Sequence, residues 1–149
     1  MTERVVIRPL RVDERAAWEP LWAGYLKFYK ATVPAATTDV TWNRFHDDAE
    51  PMYVLGAYVD DRLTGIVHYL FHRSTWTVGN YCYLQDLFVS KEARGFGVGR
   101  KLIEAVYEKA KAAGASRVHW LTQFENARAQ ILYDEVADRS GFMQYRKIF

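Results

Sequence analysis

The sequence predicts an α+β domain: a mixed β-sheet of about six strands flanked by four helices. Two observations carry this. Three strand-like runs follow one another in mid-chain with only short links between them, as an antiparallel meander would. The second half then alternates helix, strand, helix and strand, which implies local parallel pairing. The 149 residues suit a single domain, 1–149, and half of them are hydrophobic, enough to bury a core.

Each element has its own signal. Val5 to Leu10 reads as a first strand, with Pro9 suited to an edge or a strand end. Asp13 can cap a first helix, in which Trp18, Leu21, Trp22, Tyr25 and Tyr29 recur at helical spacing before Pro34 ends it. Thr38 can cap a second, short helix carrying Trp42 and Phe45. The three runs are Tyr53 to Val59, Thr64 to His72 and Asn80 to Val89, all rich in Tyr, Val or Ile. Val98 to Ala113 is a helix with Leu102, Val106, Ala110 and Ala113 on one stripe and Gly114 at its end. A strand over Arg117 to Gln123, a helix over Asn126 to Arg139 and a last strand over Phe142 to Phe149 complete the chain.

Composition excludes several classes. Twenty Lys+Arg against 18 Asp+Glu leave a net charge of +2, too balanced for a dedicated nucleic-acid binder. No apolar run approaches the ~18–20 residues of a membrane span, so no membrane partner is expected. The start, MTERVVIRPL, lacks the apolar stretch of a secretion signal, and a cytoplasmic protein is expected. Cys82 is the single cysteine, and no Cys/His cluster has metal spacing; His46, His68 and His72 are scattered. No metal is expected.

The informative segment joins a strand ending at Val89 to the helix starting at Val98. Gly95, Gly97 and Gly99 alternate with other residues there, beside Arg94, Arg100 and Lys101. Glycine lets a ligand approach the main chain, and the first N–H groups of a helix have no intrahelical partner. With the helix dipole and the cations, this turn can cradle a pyrophosphate. No Gly-Lys-Ser/Thr closes the loop as in a Walker motif, and the spacing is not that of the dinucleotide fingerprint. A glycine-rich turn with no ligand would look the same. A second segment, Asn126-Ala127-Arg128-Ala129-Gln130-Ile131-Leu132-Tyr133, follows the next strand. Asn126 can cap a helix or meet a ligand, and Tyr133 lies two turns further on the same face.

Together the two segments resemble the GNAT superfamily of N-acetyltransferases. Its Arg/Gln-x-x-Gly-x-Gly/Ala motif matches Arg94 to Gly99, and its Asn-x-x-Ala-x-x-Leu-Tyr helix matches Asn126 to Tyr133. Tyr83-Leu84-Gln85-Asp86-Leu87-Phe88-Val89 is similar to the spermidine/spermine branch, and Gly141-Phe142-Met143-Gln144-Tyr145 to yeast-type histone/polyamine acetyltransferases.

The resemblance implies acetyl-CoA as co-substrate and direct attack of an amine on its thioester. It implies a splayed sheet, with a β-bulge at Leu87, Phe88 and Val89 that parts the strand from its parallel neighbour and frees main chain for the pantetheine arm. Backbone N–H groups of Gly95, Phe96, Gly97, Val98, Gly99 and Arg100 would hold the pyrophosphate, beside Arg94. Asn126 would neighbour the pantetheine, and Tyr133 would return a proton to the leaving thiolate. Related enzymes carry a glutamate where this chain has Gln85, which cannot be a base. Asp86, Glu125, His119 or water could take that role, although Asp86, as a strand neighbour of Gln85, should face the other way. On the acceptor side, Tyr29, Asp47 and Asp48 could receive a small cationic amine, with Gln85 and Asp86 at the mouth. A core stripe of Trp18, Trp22 and Tyr25 and a solvated acidic helix end would give the same pattern. A small-molecule amine acceptor and a homodimer joined through the C-terminal region are expected. A non-catalytic acyl-CoA-binding regulatory domain and a nucleotide-binding module are the competing readings.

Overall fold

A computed structural model describes residues 4–149. The chain runs β1 (Val5–Pro9), a 3-10 turn (Val12–Glu14), α1 (Arg15–Phe28), α2 (Ala35–Phe45), β2 (Met52–Val59), β3 (Arg62–His72) and β4 (Tyr81–Val89). A second 3-10 turn (Lys91–Ala93), α3 (Val98–Ala112), β5 (Val118–His119) and α4 (Ala127–Val136) follow. The sheet order is β1-β2-β3-β4-β5. The first three pairings are antiparallel and β4 pairs β5 in parallel, so the mixed sheet and the four helices are as the sequence predicts.

Two clusters divide the core by sheet face. On one face α1 and α2 bury Trp18, Leu21 and Trp42 against Val54 and Ile66. On the other, Leu102, Ile103 and Val106 of α3 pack on Leu55, Val67, Cys82 and Leu84, with Leu132 and Tyr133 of α4 at the margin. Alternation along β3 explains the split: Ile66 and His68 face α1, whereas Val67 and Tyr69 face α3. Gly24 brings α1 close to β4, because a Cβ there would stand 2.8 Å from the Phe88 ring. Glu14 anchors the start of α1. It accepts two hydrogen bonds from Arg8, at 2.8 and 3.1 Å, one from the Tyr58 hydroxyl at 2.7 Å and one from the Arg11 N–H at 2.9 Å.

Several sequence expectations need correction. The sheet has five strands, not six, because Phe142 to Phe149 form no strand. Gly141, at φ +81°, turns the chain, and Phe142, Tyr145, Ile148 and Phe149 face solvent. The strand expected over Arg117 to Gln123 shrinks to Val118–His119, since pairing with β4 is limited to Cys82↔Val118 and Tyr83↔His119. Asp13 makes no side-chain cap, and α2 starts at Ala35, before Thr38. α1 ends at Phe28, well before Pro34, which is the residue preceding α2.

Candidate active site

β4 organises the site. Against β3 its register steps from His68↔Asp86 to Tyr69↔Leu84, which leaves Gln85 as an extra, unpaired residue. This is a β-bulge, and it lies at Gln85 rather than at Leu87, Phe88 and Val89. Its effect on direction corrects a second expectation. Gln85 and Asp86 do not face opposite sides; both line one cleft of about 220 Å³, with Trp22, Thr41, Phe45 and His68. Beyond Tyr83, β4 also loses β5 as a neighbour, so Leu87, Phe88 and Val89 keep β3 on one side and have no paired strand on the other.

Asp86 sits in a dense polar and aromatic setting. His68, 4% exposed, holds Asp86 Oδ2 at 2.9 Å through Nδ1. Its other nitrogen, Nε2, accepts from the Trp18 indole at 3.0 Å. Tyr25 and Tyr83 lie near Asp86. Burial, then the neighbouring carboxylate, pushes the phenol pKa of each above its ordinary value. Tyr29 packs on Tyr25 with ring centroids 4.9 Å apart. Burial raises its pKa too, with the Asn126 amide beside its hydroxyl acting the other way.

Asn126 is the N-cap of α4, accepting the Ala129 N–H at 3.4 Å. Tyr133 packs edge-on against Trp120 at 5.4 Å. Burial and then the nearby Tyr29 push its phenol up to about 12. It is therefore protonated throughout the neutral range, as a proton donor must be. Tyr29, the residue after α1, therefore lies close to both Asn126 and Tyr133.

The glycine loop is open. Gly97, at φ +72°, is the N-cap of α3, and Gly95 has φ +95°. A Cβ on either would meet no protein atom within 4 Å, so the space above the loop can take a ligand. The first helical bond runs from the Lys101 N–H to the Gly97 carbonyl at 3.0 Å, and the N–H groups of Val98, Gly99 and Arg100 precede it without intrahelical partners. Phe96 and Arg94 are exposed beside them, and the Arg100 guanidinium pairs with Glu135 of α4.

The other candidates lie elsewhere. Asp47 and Asp48 are exposed on the turn after α2, outside the cleft, and Asp47 accepts the Ala49 N–H at 2.9 Å. Glu125 is exposed. His119 stacks on Tyr83 and meets His72, Nε2 to Nε2, at 3.2 Å. Burial, then His72 and Arg117, lower its pKa. Cys82 is buried and its thiol is pushed up to about 12, which removes it as a nucleophile. Among the described residues no three His, Cys, Asp or Glu side chains converge as a metal set. No helix there is long and apolar enough to cross a membrane.

A bulged strand that parts from its parallel neighbour, a glycine loop at the next helix and a Tyr-bearing helix beyond it define an acetyltransferase-type fold and site. Residues 18–137 match the acetyltransferase (GNAT) family, and the chain belongs to it. It is 36% identical to the D-amino-acid N-acetyltransferase HPA3 of Saccharomyces cerevisiae, over 99% of this chain and 92% of that protein. It is 31% identical to the thialysine N-epsilon-acetyltransferase of Caenorhabditis elegans, over 64% of this chain and 61% of that one. The fold is shared with the ribosomal-protein-alanine N-acetyltransferase of Brucella melitensis, with a TM-score of 0.79, 23% identity and coverage of 98% and 100%. The chain is an acetyl-transfer enzyme by family and by its relatives.

Two features of the site were missed in the sequence, His68 and the Trp18 indole. A signal existed. His68 interrupts the apolar run Ile66-Val67-His68-Tyr69-Leu70 with the same parity as Ile66, which faces the helices.

Proposed function

We propose that this enzyme transfers acetyl from acetyl-CoA to the primary amine of a small acceptor by direct attack in a ternary complex. The observation that carries the reading is the bulge at Gln85, which turns Asp86 into the cleft beside Gln85. The acceptor ammonium gives a proton to Asp86. Its nitrogen then attacks the thioester carbon; as the C–S bond breaks, Tyr133 protonates the departing thiolate, and the second proton of the attacking nitrogen passes through solvent to the Tyr133 phenolate, leaving a neutral amide. The thiolate of a thiol with pKa ~8.5 is a weaker base than the phenolate of Tyr133, whose phenol is pushed up to about 12, so the tyrosine works by proximity to the sulfur and regains its proton as the nitrogen loses one. The free main chain of Leu87, Phe88 and Val89 pairs with the pantetheine arm. Gly95 to Arg100 hold the pyrophosphate through their N–H groups, with Arg94 alongside and Asn126 near the arm.

The acceptor belongs in the cleft among Trp22, Thr41, Phe45, Gln85 and Asp86. Tyr29 stands between it and Tyr133, while Asp47 and Asp48 are left outside. The likeness to a D-amino-acid N-acetyltransferase makes amino acids the first acceptors to test. Free-thiol release from acetyl-CoA across D- and L-amino acids, diamines and lysine analogues tests the reading. Amine-dependent release supports it. Acetyl-CoA binding with no release across the panel would favour a regulatory acyl-CoA-binding domain.

The exposed apolar side chains of Phe142, Tyr145, Ile148 and Phe149 support a homodimer in which a second copy covers the C-terminal region. Light scattering should give twice the chain mass at micromolar concentration; the single-chain mass would refute the dimer.

A further inference from the structure

We propose that Trp18 and His68 form a positioning relay behind Asp86, resting on the reading of Asp86 as the base: the indole fixes the imidazole tautomer, and the imidazole fixes the carboxylate. Among the described residues His68 is the one buried polar side chain, in a wall made by Trp18, Trp22 and Phe45, whose rings stand 5.9, 5.2 and 4.8 Å from its own. A buried imidazole needs a reason for its burial, because its desolvation is costly unless both nitrogens find partners. Here both do.

The two partners also decide the protonation. An indole N–H only donates, so Nε2 must be an acceptor and the ring proton must sit on Nδ1. Nδ1–H then donates to Asp86 Oδ2. One carboxylate oxygen is thereby committed, the plane of the group is set, and the other oxygen is left for the acceptor ammonium. A second proton on Nε2 would set two N–H groups head to head in a dry pocket. His68 therefore does not carry the acceptor's proton onward. That proton stays on Asp86 and leaves through the cleft. The other titratable groups near the pair are Tyr25 and Tyr29 of α1 and Tyr83 of β4, all held in the protonated phenol form. α2 contributes Phe45 to the wall, and no ionisable side chain of α2 lines the cleft.

Comparison of His68→Asn with His68→Leu tests the relay. An asparagine amide can reproduce the Nδ1–H donor, whereas leucine fills the apolar pocket and donates nothing. The expected result is a kcat about 10- to 100-fold lower for His68→Leu, the scale of one hydrogen bond to a charged group, with an unchanged KM for acetyl-CoA. His68→Asn should recover to within about threefold of the parent, since it keeps that bond. A His68 that served packing alone would reverse the order, with leucine as active as asparagine or more so, and that would overturn the relay. Asp86→Asn separates the two claims. If it is inactive while His68→Leu is fully active, only the relay falls; if it is active, the base assignment falls and the relay with it. Should either His68 variant fail to fold, the unaltered protein still decides. Nitrogen-15 NMR of its histidines at pH 8 is expected to show His68 as the Nδ1–H tautomer, and an Nε2–H tautomer would overturn the relay.

Discussion

In the glycine loop the proposed binding groups are main-chain N–H donors from six consecutive residues, Gly95 to Arg100, on an open surface. In the proposed acceptor cleft they are side chains from α1, α2, β3 and β4, backed by a largely buried chain in which Trp18 bonds His68 and His68 bonds Asp86. The first site depends on backbone conformation, the second on packing. The difference shows what each can tolerate. A backbone site survives changes of side chain so long as the main chain keeps its positive φ and its open face. A packed polar site fails when a single partner is lost, because the group left behind has no water to replace it.

That contrast can be sharpened by substitution. Of three substitutions outside Asp86, the largest effect is expected at Tyr133, which lies near Tyr29. Tyr133→Phe keeps the ring and its packing on Trp120 but removes the proton, and should lower kcat by roughly 10²-fold with little change in acetyl-CoA affinity. Steady-state kinetics with calorimetry reads both. An unchanged kcat would assign the hydroxyl a structural role. Next is Gly97→Glu, which puts a carboxylate and a strained backbone where the pyrophosphate is expected. It should weaken acetyl-CoA binding by at least about tenfold while the melting temperature falls only modestly, since the cost of the left-handed conformation is ~1–2 kcal/mol. Unchanged affinity by calorimetry would break the backbone half of the comparison. The smallest effect is expected from Asp47→Asn combined with Asp48→Asn. Both carboxylates are exposed and outside the cleft, so salt screens them, and the acceptor KM should move by less than about twofold. A larger rise for cationic acceptors alone would extend the acceptor site to the turn after α2.

The same contrast explains what could be read from the chain in advance. The glycine loop and the Asn126–Tyr133 helix are local patterns, in which spacing along the sequence is spacing in space. The meander, α3 and α4 were legible for the same reason: each depends on periodicity within one segment. The bulge at Gln85 was not, because it is a property of two paired strands. Strand alternation alone puts Asp86 on the wrong side, and only the step in register against β3 corrects it. His68 was passed over as one of several scattered histidines, since its partners lie 50 and 18 positions away. The last strand failed for a related reason. Phe142 to Phe149 have strand-like composition, but β5 is only two residues long and offers no edge for them. Composition can favour a strand; only a neighbour can make one.

The central claim is that acetyl-CoA is held by the loop and the splayed strand while the chemistry on the amine depends on Asp86. Asp86→Asn, measured by calorimetry with acetyl-CoA and by thiol release with the best acceptor from the panel, tests it most directly. The substitution keeps the shape of the side chain and removes its basicity. The expected result is an acetyl-CoA affinity within about twofold of the parent and a kcat lower by 10²-fold or more, the scale of general base catalysis. Turnover close to that of the parent, or a loss of acetyl-CoA binding in step with turnover, would contradict the account.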